Sequence, residues 1–262
     1  MISAAGVAFN MLNAGQGGSI VMKNVLIAAV ILLAPAAANA QIRQVGSSSG
    51  SDARSTVNFT FGYFMLKGLE SRVEEDVLYN NLFNDHPLLF EIEDFNSMTI
   101  GGEYLFGIGS NFEAGVGLGF TQRTVHSIYA DLVRPGDIEI EQELKLKQVP
   151  VTFTGRFLFL PRGSSVEPYV GAGLVAIRYR YSEVGEFVDE FGDIFPERYV
   201  ADGVAVGPMI LGGVRAPINN WTVGGEFRWQ KAEGKDLRQE GFLGDKLDLG
   251  GWHVNFTFGV RF

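Results

Sequence analysis

The sequence predicts an all-β fold, an eight-stranded antiparallel up-and-down transmembrane β-barrel. Three observations predict it. Apolar residues recur at every second position from Thr56 to Phe262, the period of a pleated strand with two unlike faces. The connections between these segments alternate between short and long. The composition holds 34 Gly and 12% aromatic residues, but only 19% charged residues against roughly 25% in ordinary soluble domains.

The first segment sets Val57, Phe59, Phe61, Tyr63 and Met65 against Asn58, Thr60 and Gly62. The second sets Met98, Ile100, Tyr104 and Phe106 against Thr99, Gly101 and Glu103. The third sets Phe112, Ala114, Val116, Leu118 and Phe120 against Glu113, Gly115, Gly117, Thr121 and Arg123. The fourth sets Val149, Val151, Phe153 and Phe157 against Gln148, Thr152, Thr154 and Arg156. The fifth is less regular and sets Tyr169, Val175, Ile177, Tyr179 and Tyr181 against Ala172, Ala176, Arg178 and Arg180. The sixth sets Val204, Val206, Ile210 and Val214 against Gly207, Gly213 and Arg215. The seventh sets Trp221, Val223, Phe227 and Trp229 against Thr222, Glu226 and Arg228. The last sets Trp252, Val254, Phe256, Phe258, Val260 and Phe262 against His253, Asn255, Thr257 and Arg261. Segments of about 10 residues cross a tilted bilayer, and an even number leaves both chain ends on one side.

Alternation alone admits a soluble barrel with apolar residues inside. Four features favour apolar residues outside. Short joins at 107–111, 161–165 and 218–220 alternate with long linkers at 67–97, 124–143, 182–203 and 231–250, which suits short periplasmic turns and long extracellular loops. Tyr63, Tyr104, Phe159, Tyr181, Trp221, Trp229 and Trp252 stand near strand ends, where amphipathic rings suit a membrane interface. The polar face is Gly, Ala, Thr, Glu and Arg, which fills a narrow lumen. Glu103, Glu113 and Glu226 are expected to pair there with Arg123, Arg156, Arg178, Arg215, Arg228 and Arg261, because unpaired buried charge is costly. The fourth feature is the closing strand itself, which ends on Phe262.

Residues 23–40, KNVLIAAVILLAPAAANA, carry a cationic start, a short apolar run and an A-x-A site at Ala38–Ala40. They predict a signal peptide over 1–40, with residues 1–21 an over-long start and the signal beginning at Met22. Its removal takes one charge, Lys23, and moves the formal net charge from −9 to −10. Residues 41–55 read as a Ser/Gly-rich leader and 56–262 as the barrel. A net-negative chain with no basic run is a poor nucleic-acid binder, and the absence of cysteine removes disulfides and thiol chemistry.

The terminal WHVNFTFGVRF, with Trp252, Phe256, Phe258, Val260 and Phe262 on one face, resembles the C-terminal assembly signal of outer-membrane β-barrels. Together with EPYVGAGLVAIRYRY (167–181) and VGGEFRWQ (223–230), it makes residues 55–262 resemble the small outer-membrane barrels, the group of OmpA barrel domains, OmpX and OmpW. The resemblance implies a Gram-negative outer-membrane location in contact with lipid and lipopolysaccharide. It also implies delivery by periplasmic chaperones and the barrel-assembly machinery, and a monomer without a peptidoglycan-binding segment.

Catalysis requires a nucleophile with a base in reach. The chain has three histidines, and His126-Ser127 is the pair that invites a hydrolase reading. Adjacent strand residues point to opposite faces, so this pair does not form a dyad. The acidic linkers lack the spacing of a calcium loop and read as solvated charge. The sequence therefore predicts no enzyme, metal or cofactor. It predicts a filled barrel with a structural or surface-interaction role or very narrow solute passage. The alternatives are a carrier of small apolar molecules, with Phe64, Leu105, Leu158, Leu174, Met209 and Leu211 as inward candidates, and a lipid-modifying enzyme.

Overall fold

The structure is a computed structural model, and it describes residues 55–189 and 192–262. The expected signal peptide and most of the leader lie outside the described residues. Eight strands form the barrel: β1 Ser55–Leu66, β2 Ser97–Ile108, β3 Phe112–Arg134, β4 Ile138–Leu158, β5 Glu167–Val188, β6 Ile194–Ile218, β7 Trp221–Gln230 and β8 Gly251–Arg261. Each pairs antiparallel with the next, and β8 returns to β1, so the lower part of the sheet closes into a ring. The seam closes at its base through Ser55 and Phe262, whose backbone amides each donate to the other's carbonyl at 3.1 and 3.0 Å.

The tight end of the barrel has the connections expected of it. Between β6 and β7 the chain reverses over Asn219 and Asn220, with Asn219 at φ 55°, a left-handed conformation that Asn tolerates.

The other end departs from expectation. Two of the four long linkers are strand. β3 and β4 run on as a hairpin to a turn at 135–137, and β5 and β6 stay paired up to Val188 and Ile194. These four strands have 21 to 25 residues, whereas β1, β2, β7 and β8 have 10 to 12. Half of the wall therefore stands well above the other half. The two true long connections, 67–96 and 231–250, leave from the short strands and fold back against the tall half. They carry the helix α1 (Val77–Phe83), 3-10 turns at Leu69–Ser71, Ile92–Phe95 and Leu237–Glu240, and a two-residue ladder between Glu233–Gly234 and Leu247–Asp248.

Facing directions follow the two-residue pleat. Around the lower barrel Phe59, Phe61, Ile100, Val116, Phe153, Leu174, Ile210, Phe227 and Phe256 point outward and are exposed. They form an apolar belt on all eight strands. The fifth segment is the correction. Tyr169, Val175, Ile177, Tyr179 and Tyr181 point inward and are buried, while Leu174, Arg178 and Arg180 are exposed outside. Tyr181 is thus not an interface ring, and Leu174 does not line the interior. The reason is a change of phase along the tall strands. On β4 the outward row runs Phe157, Phe153, Val151, Val149 and then Lys147, Lys145 and Glu143. The inward row runs Arg156, Thr154, Thr152 and then Leu146, Leu144 and Ile140. Above Gln148 the apolar side has changed from the outside to the inside.

Candidate functional site: the lumen and its cap

The lumen is filled in layers. The lowest is charged. Arg215 on β6 donates to Glu113 across the barrel on β3 at 2.9 and 2.5 Å, and to Glu167, its register neighbour on β5, at 2.7 Å. Glu167 also takes Arg261, and Glu113 takes Arg162 at 2.6 Å. One layer higher, Arg156 bridges Glu103 at 2.5 Å and Glu226 at 2.7 Å, and Arg228 meets Glu226 at 2.6 Å. Tyr169 joins the layers. Its hydroxyl donates to Glu226 at 3.1 Å, and the guanidinium carbons of Arg156 and Arg215 lie 4.9 and 5.8 Å from its ring centre.

These bonds run mostly across the lumen, not along neighbouring strands. Glu113 and Arg156 face each other in the β3–β4 register, yet their ion pairs go to Arg162 and Arg215, and to Glu103 and Glu226. Side chains thus cross the space that a pore would occupy. Small residues make room for them. A Cβ at Gly107 would sit 2.0 Å from the Arg162 guanidinium, and one at Gly213 would sit 2.6 Å from the Tyr169 hydroxyl.

Above the charges comes a polar layer of Thr60, Thr99, Thr152, Gln230, His253 and Asn255 around a cavity of about 30 Å³, room for about two waters. Among the described residues, His253 Nε2 and Asn255 Oδ1 are buried there without a protein partner. Phe64 then lies over His253, with ring centres 4.5 Å apart, and begins the apolar cap. In the cap the inward faces of the tall strands (Val125, Leu144, Leu146, Val175, Ile177, Tyr181) pack against Val77, Leu78, Ile92 and Phe95 of the first connection and Leu237, Phe242, Leu247 and Leu249 of the last.

Polar bonds fix the cap. Asp76 caps α1 by accepting from the Tyr79 amide at 3.1 Å, pairs with Arg72 at 2.7 and 2.9 Å, and accepts from the Asp248 amide at 2.7 Å. Asp248 takes Lys67 at 3.0 Å. The two connections are thereby tied to each other. Glu183 ties them to the wall: it accepts from Asn81 of α1 at 2.6 Å and from the Tyr181 hydroxyl at 2.8 Å. Glu183 stands above the belt, and burial pushes its carboxyl up to about 7 despite those two hydrogen bonds, which pull it down.

The structure thus brings together Glu103, Glu113, Arg156, Arg215, Glu226, Arg228 and Arg261 of the expected charge network. It does not bring in two others. Arg123 lies above the network, exposed, and its Nε donates to the Asp94 carbonyl of the first connection at 2.7 Å. Arg178 is on the outer wall, because the fifth segment faces the other way. Sequence reasoning missed Glu167, Arg162 and Tyr169. The inward parity of Arg215 and of its strand would have found Tyr169 once Leu174 was placed outside. Of the terminal strand, Trp252, Phe256, Phe258 and Phe262 are exposed outward and Val260 is half-buried; Trp221 and Phe227 stack on Phe258 and Trp252 with ring centres 4.9 and 4.8 Å apart. His126 is exposed and Ser127 buried, with its hydroxyl donating to the Leu89 carbonyl at 3.0 Å.

No protein-family model matches the chain, and no curated protein matches it. Among solved structures, the outer-membrane protein OprG of Pseudomonas aeruginosa is similar at 14% identity and a TM-score of 0.46, covering 81% of this chain and 98% of that one. Neisserial surface protein A is similar at 12% identity and a TM-score of 0.43, covering 82% and 100%. The attachment invasion locus protein Ail of Yersinia pestis is similar at 10% identity and a TM-score of 0.38, covering 80% and 99%. The chain is an eight-stranded antiparallel up-and-down barrel, closed by the pairing of β8 with β1.

Proposed function

We propose that the chain is a monomeric outer-membrane barrel with a closed lumen, serving envelope structure or surface interaction and not catalysis. The observation that carries this reading is the charged layer that crosses the lumen beneath an apolar cap, inside a wall whose lower belt is apolar all round. In lipid a spanning sheet must pair its backbone groups, which is what closing into a ring achieves. With the tight turns on the periplasmic side, the cap stands at the cell surface. The outward row ending in Phe262 is the face that the assembly machinery reads, after export by the expected signal peptide. His126 and Ser127 face opposite sides, which supports a non-enzymatic role.

Planar-bilayer recording of the refolded barrel tests this. The expected result is no stable open level beyond rare flickers. A steady porin-like conductance would overturn the closed lumen.

One observation favours a second reading, the uptake of small apolar molecules. A cavity of about 330 Å³ opens beneath the first connection, lined by Leu82, Phe83, Leu88, Leu89, Phe90 and Ile92 among others. That is the low end of ligand-pocket size. Calorimetric titration with a medium-chain fatty acid separates the readings: saturable binding weakened by Phe90→Asp supports the carrier, and no heat of binding rejects it.

A further inference from the structure

Above the apolar belt the outer wall carries an unusual cluster. Lys145 and Lys147 on β4 and Arg178 and Arg180 on β5 all point outward, half-buried or exposed. Lys147 and Arg180 are direct register partners, Arg178 faces Val149, and Lys145 faces Ser182. Among the described residues, none of the four has a salt bridge, and the ammonium of Lys147 lies 5.4 Å from the Phe120 ring centre. Two like charges directly opposite each other across a strand pair repel. Four such cations on two adjacent strands are notable in a chain of net charge −9. The nearest acids on this face are Asp202, the register partner of Arg180, and Glu143, which follows Lys145 outward on β4.

The wall beneath them is apolar. Val149, Val151 and Phe153 descend β4, Leu174 descends β5, and Leu118 and Phe120 flank them on β3; Phe153 is 55% and Leu174 57% exposed. A cationic row standing directly over a bare apolar wall matches a lipid with an anionic headgroup and acyl chains below it. Basic side chains at a membrane surface attract anionic lipid, and the guanidinium fork suits a phosphate.

We propose that Lys145, Lys147, Arg178 and Arg180 form a docking site for the phosphorylated headgroup of a lipid in the same leaflet, with its acyl chains against Val149, Val151, Phe153 and Leu174. The phosphate-bearing glycolipid lipid A has this chemistry. The anion offsets the repulsion between Lys147 and Arg180, for which Asp202, opposite Arg180 on the β6 side, is the nearest acid in the register. The proposal rests on the membrane reading above.

The test is native mass spectrometry of the full barrel titrated with bisphosphorylated lipid A, compared with a K145Q/K147Q/R178Q/R180Q variant. Folding and insertion are scored separately for both by the heat-dependent gel shift and by protease protection in vesicles. The expected result is an apparent Kd raised roughly tenfold or more in the variant, since each basic residue near the surface contributes about a few-fold. A R198Q/K235Q/K246Q control keeps the native affinity, and free inorganic phosphate does not compete. Equal lipid A binding by two inserted barrels overturns the proposal, as does competition by free phosphate. A barrel that fails to insert into any vesicle overturns the membrane reading instead.

Discussion

Below Gln148 and Thr121 the tall strands turn Phe153, Val151 and Leu118 outward and Thr152, Arg156 and Glu113 inward; above them the same strands turn Lys147, Lys145 and His126 outward and Leu146, Leu144 and Val125 inward. The lower barrel has an apolar outside and a polar interior, and the upper one has a polar outside and an apolar core. On the membrane reading proposed above, the solvent outside each half explains the difference. Where hydrocarbon surrounds the wall, apolar side chains gain nothing by going inside, and charges must be paired within. Where water surrounds it, burying Leu, Ile and Phe is again favourable. The two interiors therefore respond to substitution in different ways.

The largest effect is expected in the lower core. Arg215→Ala leaves Glu113 and Glu167 short of their shared partner inside the barrel and costs about 3–5 kcal/mol, the usual loss on breaking a buried pair. Urea unfolding in detergent should show the whole barrel destabilised. In the upper core, Leu78→Ala removes a fully buried side chain and costs about 2–5 kcal/mol. That loss should be local: proteolysis after Lys67 or Arg72 accelerates, while the urea midpoint of the barrel stays put. Equal global losses from both substitutions would break the distinction between the halves.

A smaller effect depends on pH. Glu183 has a folded value of about 7, raised by burial from the ordinary 4.5. A raised carboxyl binds more protons when folded, so its contribution is fully present below about 4.5, is lost as pH rises towards 7, and is level above that. The span is on the order of 3 kcal/mol. Amide protection factors in residues 77–83, which correct for the intrinsic pH dependence of exchange, should therefore fall between pH 5 and pH 7.5, and Glu183→Gln should flatten the profile. The smallest effect is at Arg178. Its outward, unpaired placement predicts a stability change within about 0.5 kcal/mol for Arg178→Ala in detergent. A loss of several kcal/mol would return it to the lumen.

The strand count and the ring were legible because the two-residue period survives along every segment. What the sequence concealed is the change of phase. Reading the apolar row as outward succeeds on β1, where Phe59, Phe61 and Tyr63 are exposed, and fails on β5, where Leu174 belongs to the belt but Val175, Ile177, Tyr179 and Tyr181 belong to the cap. The signal was present on β4 as a shift from odd apolar positions (Val149, Val151, Phe153) to even ones (Leu144, Leu146) across Gln148. The same change of phase hid the strand extensions within the linker at 124–143, where the apolar residues Val125 and Ile140 face inward and do not continue the outward row. The charge network was legible wherever inward parity was right. Glu167 and Arg162 were hidden at a strand start and in a turn, where parity has no run to establish it.

Cysteine scanning down β4 tests the inversion most directly, because the chain has no cysteine of its own. Single cysteines at Phe153, Val151, Lys147, Lys145, Leu146 and Leu144 would be probed with a membrane-impermeant maleimide on the barrel inserted in vesicles. The account predicts rapid labelling at Lys147 and Lys145, and protection at Phe153 and Val151 by lipid and at Leu146 and Leu144 by the cap. Rapid labelling at Leu146 and Leu144 with protection at Lys147 and Lys145 would contradict it.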